Sequence, residues 1–408
     1  MPHSLAKPLK LPEFVALMAM LSSLMALAID AMLPALAQIG QELGNQHAND
    51  NQLVITSLFM GTALGLLFFG PASDSFGRKP PLFAGLALFI VGCLVSIFAQ
   101  NFDQMILGRL LQGFGLAAPR VVTLTMVRDQ FHGREMARVM SLVMMVFILV
   151  PAIAPMLGQT ILWFAQWRAI FWFLLAMALV GLLWFALRQP ETLARSKRAA
   201  FTPIQTGRTI WLVLSNKASM GPTIALGIIF GAILIYLSTA QQIFQGLYHQ
   251  GDRFALVFGS LALVFGVSSM LNSKLVRRYD MTRLAFVSLT ALMGVSGLYY
   301  FFAQAWDGVP PFWTLLVYLS FFYFCMAILF GNLNALAMEP LGEVAGIGAA
   351  VVGTLSTLIS AGLGMVVGQF YNDTVVPLVL GVAFSALVSA LVLIWSGKAP
   401  FIEAPPTA

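Results

Sequence analysis

The sequence predicts an all-α integral membrane protein whose twelve transmembrane helices form two six-helix halves. Three observations support this prediction: an apolar composition, twelve apolar runs long enough to span a bilayer, and Lys and Arg residues concentrated in alternate connections. Of the 408 residues, 59% are hydrophobic and 9% are charged, whereas soluble domains carry about 25% charged residues. A surface this poor in charge would precipitate in water, so lipid has to cover most of it, and a soluble enzyme is excluded.

The apolar runs have the length that a bilayer requires. A helix needs roughly 20 largely apolar residues to cross about 30 Å of hydrocarbon at about 1.5 Å per residue. The twelve runs that meet this requirement are 14–37, 52–71, 82–99, 104–127, 137–161, 168–188, 220–246, 253–273, 283–304, 311–334, 345–371 and 375–396. The pattern predicts that each span exists, and it defines the terminal residues only to within a few positions.

The distribution of Lys and Arg orients these spans. Short cytoplasmic loops are enriched in both residues. With the N-terminus inside, 18 of the 22 fall in the even-numbered connections and the tails, Arg168 and Arg253 fall outside, and Arg109 and Arg120 lie within span four. If the span count were wrong by one, basic residues would fall on both sides of the membrane. The sequence therefore predicts that both termini are cytoplasmic, and it assigns the basic excess to the membrane surface instead of to nucleic acid.

The longest polar stretch divides the spans into two sets of six. It covers residues 191–217 and carries Arg195, Lys197 and Arg198. This placement predicts an N-terminal bundle over 1–190, a cytoplasmic linker over 191–217 and a C-terminal bundle over 218–408. Two such halves are typical of a duplicated transporter that rocks about a midplane site. The alternative is a single long loop without duplication.

A glycine-rich charged motif, Gly-Pro-Ala-Ser-Asp-Ser-Phe-Gly-Arg-Lys, connects spans two and three from Gly70 to Lys79. A glycine permits close helix packing, Asp74 can pair with a cation, and Gly77 permits a tight turn. Arg78 and its neighbour anchor the loop at the headgroups. The motif resembles the G-x-x-x-D-x-x-G-R-[RK] signature of the major facilitator superfamily. This resemblance implies the major facilitator fold and a role in conformational gating; a simple anchor loop is the alternative.

Span four begins with Arg-Leu-Leu-Gln-Gly-Phe-Gly from Arg109 to Gly115, which looks like the R-x-x-Q-G-x-G element of the same superfamily. An arginine within an apolar helix costs roughly 2.5–3.5 kcal/mol on insertion scales, so it is a functional candidate by default. Because Arg109 lies near the outer end of the span, extension of its side chain to the headgroups is the alternative.

Span five contains Pro151, Pro155 and Gly158. A proline inside a helix removes a backbone hydrogen bond and bends the helix, and such a bend can close a helix pair that would otherwise leak protons. The pattern resembles the antiporter element of proton-driven drug exporters, although only Pro155 and Gly158 match its usual G-x-x-x-G-P-x-x-G-G form. With residues 29–36 of span one, it is similar to the Bcr/CflA multidrug branch, which implies proton-coupled export through a central cavity. A kink with no coupling role is the alternative.

Asp30 is the only one of the 16 acidic residues that lies deep inside an apolar run. An apolar environment favours the protonated form of a carboxyl group, and a neighbouring guanidinium favours the ionised form. We hypothesise that Asp30 is the exchangeable proton carrier and that Arg109 is its electrostatic partner; a structural ion pair is the alternative. Some multidrug relatives carry a second acid about two turns earlier, where this chain has Ser22 and Ser23, so cation export that relies on two carboxylates is in doubt.

The candidates for substrate contact are few. Arg120 lies eleven residues after Arg109 and so shares its face of the helix; it would favour anionic or zwitterionic substrates, unless it extends to the headgroups. In the C-terminal half the candidates are Tyr236, Gln242, Asn332 and Asn334. Each could instead join neighbouring helices.

The sequence thus predicts a proton-coupled secondary transporter of the inner (cytoplasmic) membrane that exports drugs or small metabolites by alternating access. A proton-coupled symporter that imports a small solute, and a non-transporting membrane sensor of the same fold, are the alternatives. The four His are scattered, and neither a metal-binding spacing nor a phosphate-binding loop is present. We therefore expect no enzymatic activity, no cofactor, no metal and no nucleic-acid partner. We expect a monomer that interacts with a small-molecule substrate, protons and the lipid bilayer.

Overall fold

The computed structural model describes residues 9–198 and 203–398 of the chain. Within these ranges every regular element is helical and no strand occurs. The chain divides into two compact units, Met1–Thr206 and Gly207–Ala408. The all-α class predicted from the composition is confirmed.

The N-terminal unit contains seven of the α-helices in the described ranges. They are α1 (Leu11–Asp30), α2 (Leu36–Glu42), α3 (Leu53–Phe76), α4 (Lys79–Ile97), α5 (Phe102–Gln130), α6 (Gly133–Phe164) and α7 (Arg168–Arg188). Short 3-10 turns cover Leu33–Ala35, Ala48–Gln52 and Arg195–Lys197.

The other seven described α-helices belong to the C-terminal unit, and the first of them begins four residues before the boundary of that unit at Gly207. They are α8 (Pro203–Ser215), α9 (Lys217–Gln241), α10 (Phe254–Leu275), α11 (Met281–Gln304), α12 (Phe312–Met338), α13 (Ala345–Gly368) and α14 (Val376–Trp395). A π-helical turn over Gln242–Leu247 extends α9, and 3-10 turns cover Gly251–Arg253 and Glu339–Val344.

Eleven helical segments of the described residues are long and apolar enough to cross a membrane. Each coincides with one of the predicted runs. The remaining run, 137–161, falls on α6, which contributes a shorter apolar segment, Leu149–Phe164. The chain is therefore a multi-pass membrane protein.

Two predictions fall partly outside the described residues. The cytoplasmic location of the termini concerns residues 1–8 and 399–408, and the linker 191–217 includes residues 199–202; both sets lie outside the described ranges. The described part of that linker contains α8, a 13-residue helix on which Trp211 and Leu212 are exposed.

Helix α5 is held by backbone-to-backbone packing at glycines. A Cβ atom on Gly113 would overlap the Leu58 carbonyl oxygen of α3, and one on Gly115 would overlap the Gly85 carbonyl oxygen of α4. Small residues that allow such contacts are typical of helix association in membranes. These two glycines, which follow Arg109 in the motif, therefore fix α5 between α3 and α4. The arginines of α5 are positioned by the same contacts.

The first span is not one continuous helix. Helix α1 ends at Asp30, a 3-10 turn follows at Leu33–Ala35, and α2 then continues to Glu42. Pro34 lies inside the turn, and a proline has no backbone N–H and a fixed φ. The sequence prediction treated residues 14–37 as a single run and missed this break.

Candidate functional site

Asp30 lies at the break that ends α1. Its side chain is 5% exposed. Among the described residues, no side chain or backbone N–H donates a hydrogen bond to its carboxyl group, and none forms an ion pair with it. An unpartnered ionised carboxylate in a low-dielectric interior costs several kcal/mol, so the neutral form is the one that such a position holds most readily.

Helix α6 contacts the chain directly after Asp30. A Cβ atom on Gly158 would overlap the carbonyl oxygen of Ala31. Pro151 and Pro155 lie inside the same helix, where each removes one backbone hydrogen bond. The proline-glycine pattern of α6 thus lies against the break of the first span, a proximity that the sequence did not predict.

Arg109 is fully buried on α5 and bridges three helices. Its Nη2 donates to the carbonyl oxygen of Ala28 in α1 at 2.9 Å, and its Nε donates to the carbonyl oxygen of Val54 in α3 at 2.9 Å. Its Nη1 donates to Oε1 of Gln112 at 2.6 Å. The guanidinium also lies 6.0 Å from the ring centroid of Phe171. All of these partners are neutral.

The direct pairing of Arg109 with Asp30, expected from the sequence, is not formed among the described residues. The last four carbonyl groups of a helix lack intrahelical donors, and a cation at this end is favoured by the helix dipole. Ala28 is one of these four positions in α1. Arg109 therefore satisfies the open end of the helix that Asp30 terminates, and it positions the break without neutralising the carboxyl group.

The Gly70–Lys79 motif forms a charge network at the opposite end of α3. Arg78, only 5% exposed, donates from Nη1 to Asp74 at 2.5 Å and to Ser73 Oγ at 2.7 Å. Its Nε and Nη2 donate to the two carboxylate oxygens of Asp129 at 2.8 and 3.2 Å. Burial acts to lower the pKa of Arg78, but the bonds to Asp129 and Asp74 outweigh it, so its pKa is raised above its ordinary value.

Glu191, which follows α7, completes this network. Its carboxylate oxygens accept from the backbone N–H groups of Arg78 and Lys79 at 2.9 and 3.0 Å, at the start of α4. A negative charge at a helix N-terminus is favoured by the helix dipole. Gly77 adopts φ +97°, and a Cβ atom there would lie 2.8 Å from Glu191 Oε2. The network thus connects α3, α4, α5 and the segment after α7.

Lys79 is held separately from Arg78. Its Nζ donates to the carbonyl oxygen of Gln189 at 2.7 Å and lies 5.7 Å from the ring centroids of both Phe83 and Phe185. Gly70 is buried within α3. Asp129 and Glu191 are the partners that sequence reasoning missed, although Asp129 follows a predicted span and could have been matched to the basic loop after span two.

A second charge cluster joins α2 to the start of α7. Glu42 forms an ion pair with Arg168 and accepts from Trp167 Nε1 at 2.5 Å. Arg168 also donates to the carbonyl oxygens of Ile97 and Ala99, at 3.1 and 3.2 Å. This cluster fixes the far end of the first span to α7 and to the end of α4.

Arg120 differs from Arg109, although both lie on α5. Only a minor part of its surface is accessible, and its nitrogen atoms are not among the fully enclosed polar atoms that lack a partner. Among the described residues, none accepts a hydrogen bond from it and none forms an ion pair with it. Three residues further along, Thr123 accepts a hydrogen bond from Ser22 of α1 at 3.2 Å. Arg120 therefore lies one turn from a polar contact between α5 and α1.

The C-terminal candidates do not converge on one site. Tyr236 is 1% exposed and is surrounded by aromatic rings, with the Tyr323 and Phe258 centroids at 5.5 and 5.9 Å. Gln242 begins the π-helical turn, a feature that frequently marks functional sites.

The two asparagines of α12 differ in their surroundings. Asn332 is buried and donates to Asn272 of α10 at 3.0 Å and to the carbonyl oxygen of Ile328 at 2.9 Å. Asn334 is exposed. Asn332 thus joins two helices, the structural role that the sequence left open.

Within the described ranges, no cluster of three or more His, Cys, Asp or Glu side chains could hold a metal ion. Cys93 and Cys325 are both buried and neither forms a disulfide.

The membrane-length helices and the buried charged residues Asp30 and Arg109 are typical of a membrane transporter. The family model described as "Major Facilitator Superfamily" matches residues 16–365. The chain belongs to the Major Facilitator Superfamily.

Curated relatives include transporters and resistance proteins. The chain is 34% identical over 234 residues to the "Uncharacterized MFS-type transporter YdgK" of Bacillus subtilis, covering 57% of this chain and 58% of that protein. It is 28% identical over 382 residues to the "Bicyclomycin resistance protein homolog" of Haemophilus influenzae, covering 93% of this chain and 94% of that protein. It is 29% identical over 214 residues to the "Multidrug resistance protein MdtL" of Escherichia coli, covering 52% and 53%. The chain thus matches less than two thirds of the Bacillus and Escherichia proteins.

Two solved structures share the fold. The human organic anion transporter MFSD10 (TETRAN) superposes with a TM-score of 0.67 at 18% identity, covering 96% of this chain and 99% of that one. A D-xylose–proton symporter superposes with a TM-score of 0.69 at 13% identity, covering 93% and 96%. At these identities the likeness concerns the fold alone.

Proposed function

We propose that the chain is a proton-coupled secondary transporter that exports drugs or small metabolites by alternating access. The observation that carries this proposal is the buried carboxyl group of Asp30, which has no partner among the described residues. A carboxyl group without a fixed partner can exchange its proton when its surroundings change, whereas one in an ion pair is held in the ionised form. The names of the Haemophilus and Escherichia relatives support an exporter of drugs.

The coupling step follows from the break at Asp30. In the outward-facing state Asp30 takes up a proton from the acidic side of the membrane. Movement of α6 against Ala31, at the Gly158 contact, then changes the surroundings of the carboxyl group. The proton leaves on the cytoplasmic side when substrate binds. Arg109, held by neutral acceptors, keeps the end of α1 in position through the cycle.

The Arg78 network is proposed to gate the cycle. Its bonds connect α3 with α5 through Asp129 and with the segment after α7 through Glu191. These contacts stabilise one arrangement of the cytoplasmic helix ends and have to be broken if those ends separate. Conformational gating is therefore assigned to Gly70, Asp74, Gly77, Arg78 and Lys79, together with Pro151, Pro155 and Gly158.

We further propose that the protein works as a monomer in the inner (cytoplasmic) membrane with both termini in the cytoplasm. The support is the distribution of Lys and Arg, with 18 of 22 on one side of the predicted topology. The proposed halves remain 1–190 and 218–408, with a linker between them.

The test is resistance profiling of an overexpressing strain against a drug panel, with and without a proton uncoupler. Export should raise the tolerated concentration of some compounds, and the uncoupler should abolish the gain. In everted vesicles, Asp30→Asn should remove proton-driven export while protein yield is retained. Asp103→Asn, an exposed acid at the start of α5, is the matched control and should transport normally.

Two results would contradict the proposal. Full-rate pumping by Asp30→Asn would remove Asp30 from the mechanism. Inward accumulation of a solute, driven by an acid-outside gradient, would favour the symporter instead.

A further inference from the structure

Arg120 is a half-buried cation for which the described part of the chain provides no anion. A guanidinium carries five N–H donors and stays protonated in proteins. Arg109, on the same helix, has three of its donors satisfied by neutral acceptors. Within residues 9–198 and 203–398, Arg120 has neither a hydrogen-bond acceptor nor an ion-pair partner. The nitrogen atoms of Arg120 are not among the fully enclosed polar atoms that lack a partner, so they reach accessible space, and this contrast points to an acceptor that arrives from outside the protein.

The headgroups are too far away to be that acceptor. Arg120 lies ten residues before the end of α5 at Gln130, which is about 15 Å along the helix axis. An arginine side chain does not extend that far. On the other side, the start of α5 at Phe102 is still more distant.

The face of α5 that carries Arg120 is turned toward α1. Residues three and eleven positions apart lie on nearly the same side of a helix. Arg109, eleven residues earlier, donates to the carbonyl oxygen of Ala28, and Thr123, three residues later, contacts Ser22. Because the higher α1 number meets the lower α5 number, the two helices run antiparallel.

The neighbours packed against this turn of α5 are neutral. The α1 residue at this level is Ser22. On the α3 side a Cβ atom on Gly65 would contact Ala117, and on the α4 side one on Gly85 would overlap Ala118. No described carboxylate of these elements lies against Arg120, so its charge is free to act on a ligand.

Asp30 lies further along α1 in the same direction as Arg120. It is eight residues beyond Ser22, about 12 Å, and Arg120 is three residues from Thr123, about 4.5 Å. Counted from the Ser22–Thr123 contact, the two positions are about 8 Å apart along the helix axes, and counted from the Arg109–Ala28 contact they are about 20 Å apart. No ion pair joins Arg120 to Asp30 among the described residues, and a small molecule with one charged group at each end can occupy the interval between them.

The direction of coupling decides which charges the substrate needs. Two ligands exchange only if each weakens the binding of the other. An anion at Arg120 alone would favour a proton on Asp30, and substrate and proton would then travel together. A cationic group at Asp30 competes with the proton for the same carboxylate, which gives exchange.

Extending the proposed proton exchange at Asp30, on which this inference rests, we propose that the substrate is a small zwitterion. Its carboxylate or comparable anion binds Arg120, and its protonated amine binds Asp30 and displaces the proton. The amine supplies the competition required for exchange, and Arg120 selects against compounds that carry the amine alone.

The experiment uses two charge series in proteoliposomes with an imposed proton gradient. Each series contains a zwitterion, its ester and its N-acetyl derivative, so that the carboxylate or the amine is blocked in turn. The zwitterions are the dipeptide leucyl-leucine and the drug norfloxacin. We expect at least one zwitterion to be transported, and both of its blocked derivatives to be transported at least tenfold more slowly.

Substitutions at position 120 test the role of Arg120 directly. Arg120→Ala should lower the rate for the zwitterion at least tenfold, and Arg120→Lys should retain more of it, because the positive charge remains. Arg128→Ala, an exposed arginine at the end of the same helix, is the matched control and should keep the wild-type rate. The charge series on the wild-type protein does not depend on whether a variant folds.

Three outcomes would overturn the inference: an ester transported as fast as its parent, a zwitterion rate unchanged in folded Arg120→Ala, or no transport of either zwitterion. Ethidium, a lipophilic cation, separates this failure from failure of the proposed function. If ethidium moves in a proton-driven, Asp30-dependent manner and neither zwitterion does, the exporter stands and the zwitterion inference falls. If the gradient drives no compound at all, both fall.

Discussion

Asp30 and Arg109 are both buried ionisable residues, but only Arg109 has hydrogen-bond partners for its side chain among the described residues. The guanidinium of Arg109 donates to two backbone carbonyl groups and to Gln112, so its cost of burial is offset by charge-assisted hydrogen bonds. Asp30 has no such compensation among the described residues. A residue that is fully satisfied holds its neighbours in place, whereas one that is not can change its protonation state. The first role is structural and the second suits proton exchange.

The side chain of Arg78 is also hydrogen-bonded, to Asp74 and Asp129. Its contribution to the stability of the fold does not change near physiological pH. Its pKa is raised in the folded protein by Asp129 and Asp74, against the opposing effect of burial. A raised pKa contributes stability that is fully present below the unfolded value and is lost only as the pH rises through the folded value. For an arginine that window is strongly alkaline, so pH dependence of transport near neutrality has to arise at another group.

Replacing Arg109 with lysine should destabilise the N-terminal unit. A lysine ammonium lacks the planar fork of a guanidinium and cannot reproduce the three bonds to α1, α3 and Gln112 at once. Each buried acceptor left without a donor costs about 1–3 kcal/mol. We expect a lower Tm of the purified protein and reduced transport in Arg109→Lys. Arg128→Lys serves as the control, and an unchanged Tm in Arg109→Lys would contradict this assignment.

At the scale of the elements, glycines set the distances between helices. Helix α5 approaches α3 and α4 through Gly113 and Gly115, and α6 approaches the break after α1 through Gly158. In each case the neighbour is a backbone carbonyl group, which cannot rotate away as a side chain can. These contacts explain why the two glycines follow Arg109 in the span-four motif and why a glycine follows the prolines in span five.

Adding one methyl group at Gly158 should therefore impair transport more than folding. The new Cβ atom would overlap the carbonyl oxygen of Ala31, so α6 has to move away from the break next to Asp30. We expect Gly158→Ala to reach the membrane at normal levels and to lose most proton-driven export, measured in everted vesicles.

Gly294→Ala is the control for this substitution. No atom lies within 4 Å of the added Cβ in α11, and alanine is favoured over glycine in a helix by roughly 0.5–1 kcal/mol. Equal export by the two variants would mean that the close contact at Gly158 has no role in the cycle.

At the scale of the whole molecule, hydropathy and charge determine most of what could be predicted. Eleven predicted spans coincide with membrane-length helices of the described residues, because an apolar run of this length has few alternatives in lipid. The break after Asp30 was not predictable in the same way: Pro34 was visible, but hydropathy does not distinguish a bent span from a straight one.

The charge partners were the other feature that the sequence could not provide. Asp129 and Glu191 meet Arg78 across 51 and 113 positions of the chain, and only the packing of α3, α5 and α7 determines which carboxylates face it. The expected Asp30–Arg109 ion pair is likewise not formed among the described residues. Both residues lie near the same level of neighbouring helices, but the guanidinium donates to the Ala28 carbonyl oxygen at the open helix end instead.

The orientation in the membrane leads to a whole-molecule prediction. If the side rich in Lys and Arg is cytoplasmic, alkaline phosphatase fused after the last helix should stay inactive, since it folds only outside the cytoplasm. A fluorescent protein fused at the same position should be bright. A fusion after α2, in the segment before Leu53, is the control and should give active phosphatase. The reverse pattern would invert the topology.

The shielding of both native thiols has a practical consequence for spectroscopy. Cys93 and Cys325 are buried in the interior of their units, so a water-soluble maleimide should leave them unmodified. A cysteine introduced at an exposed loop position, such as Gln46 or Arg195, would then carry a fluorophore or spin label without prior removal of the natural ones. Pairs of such labels would report distance changes during turnover in the otherwise unaltered protein.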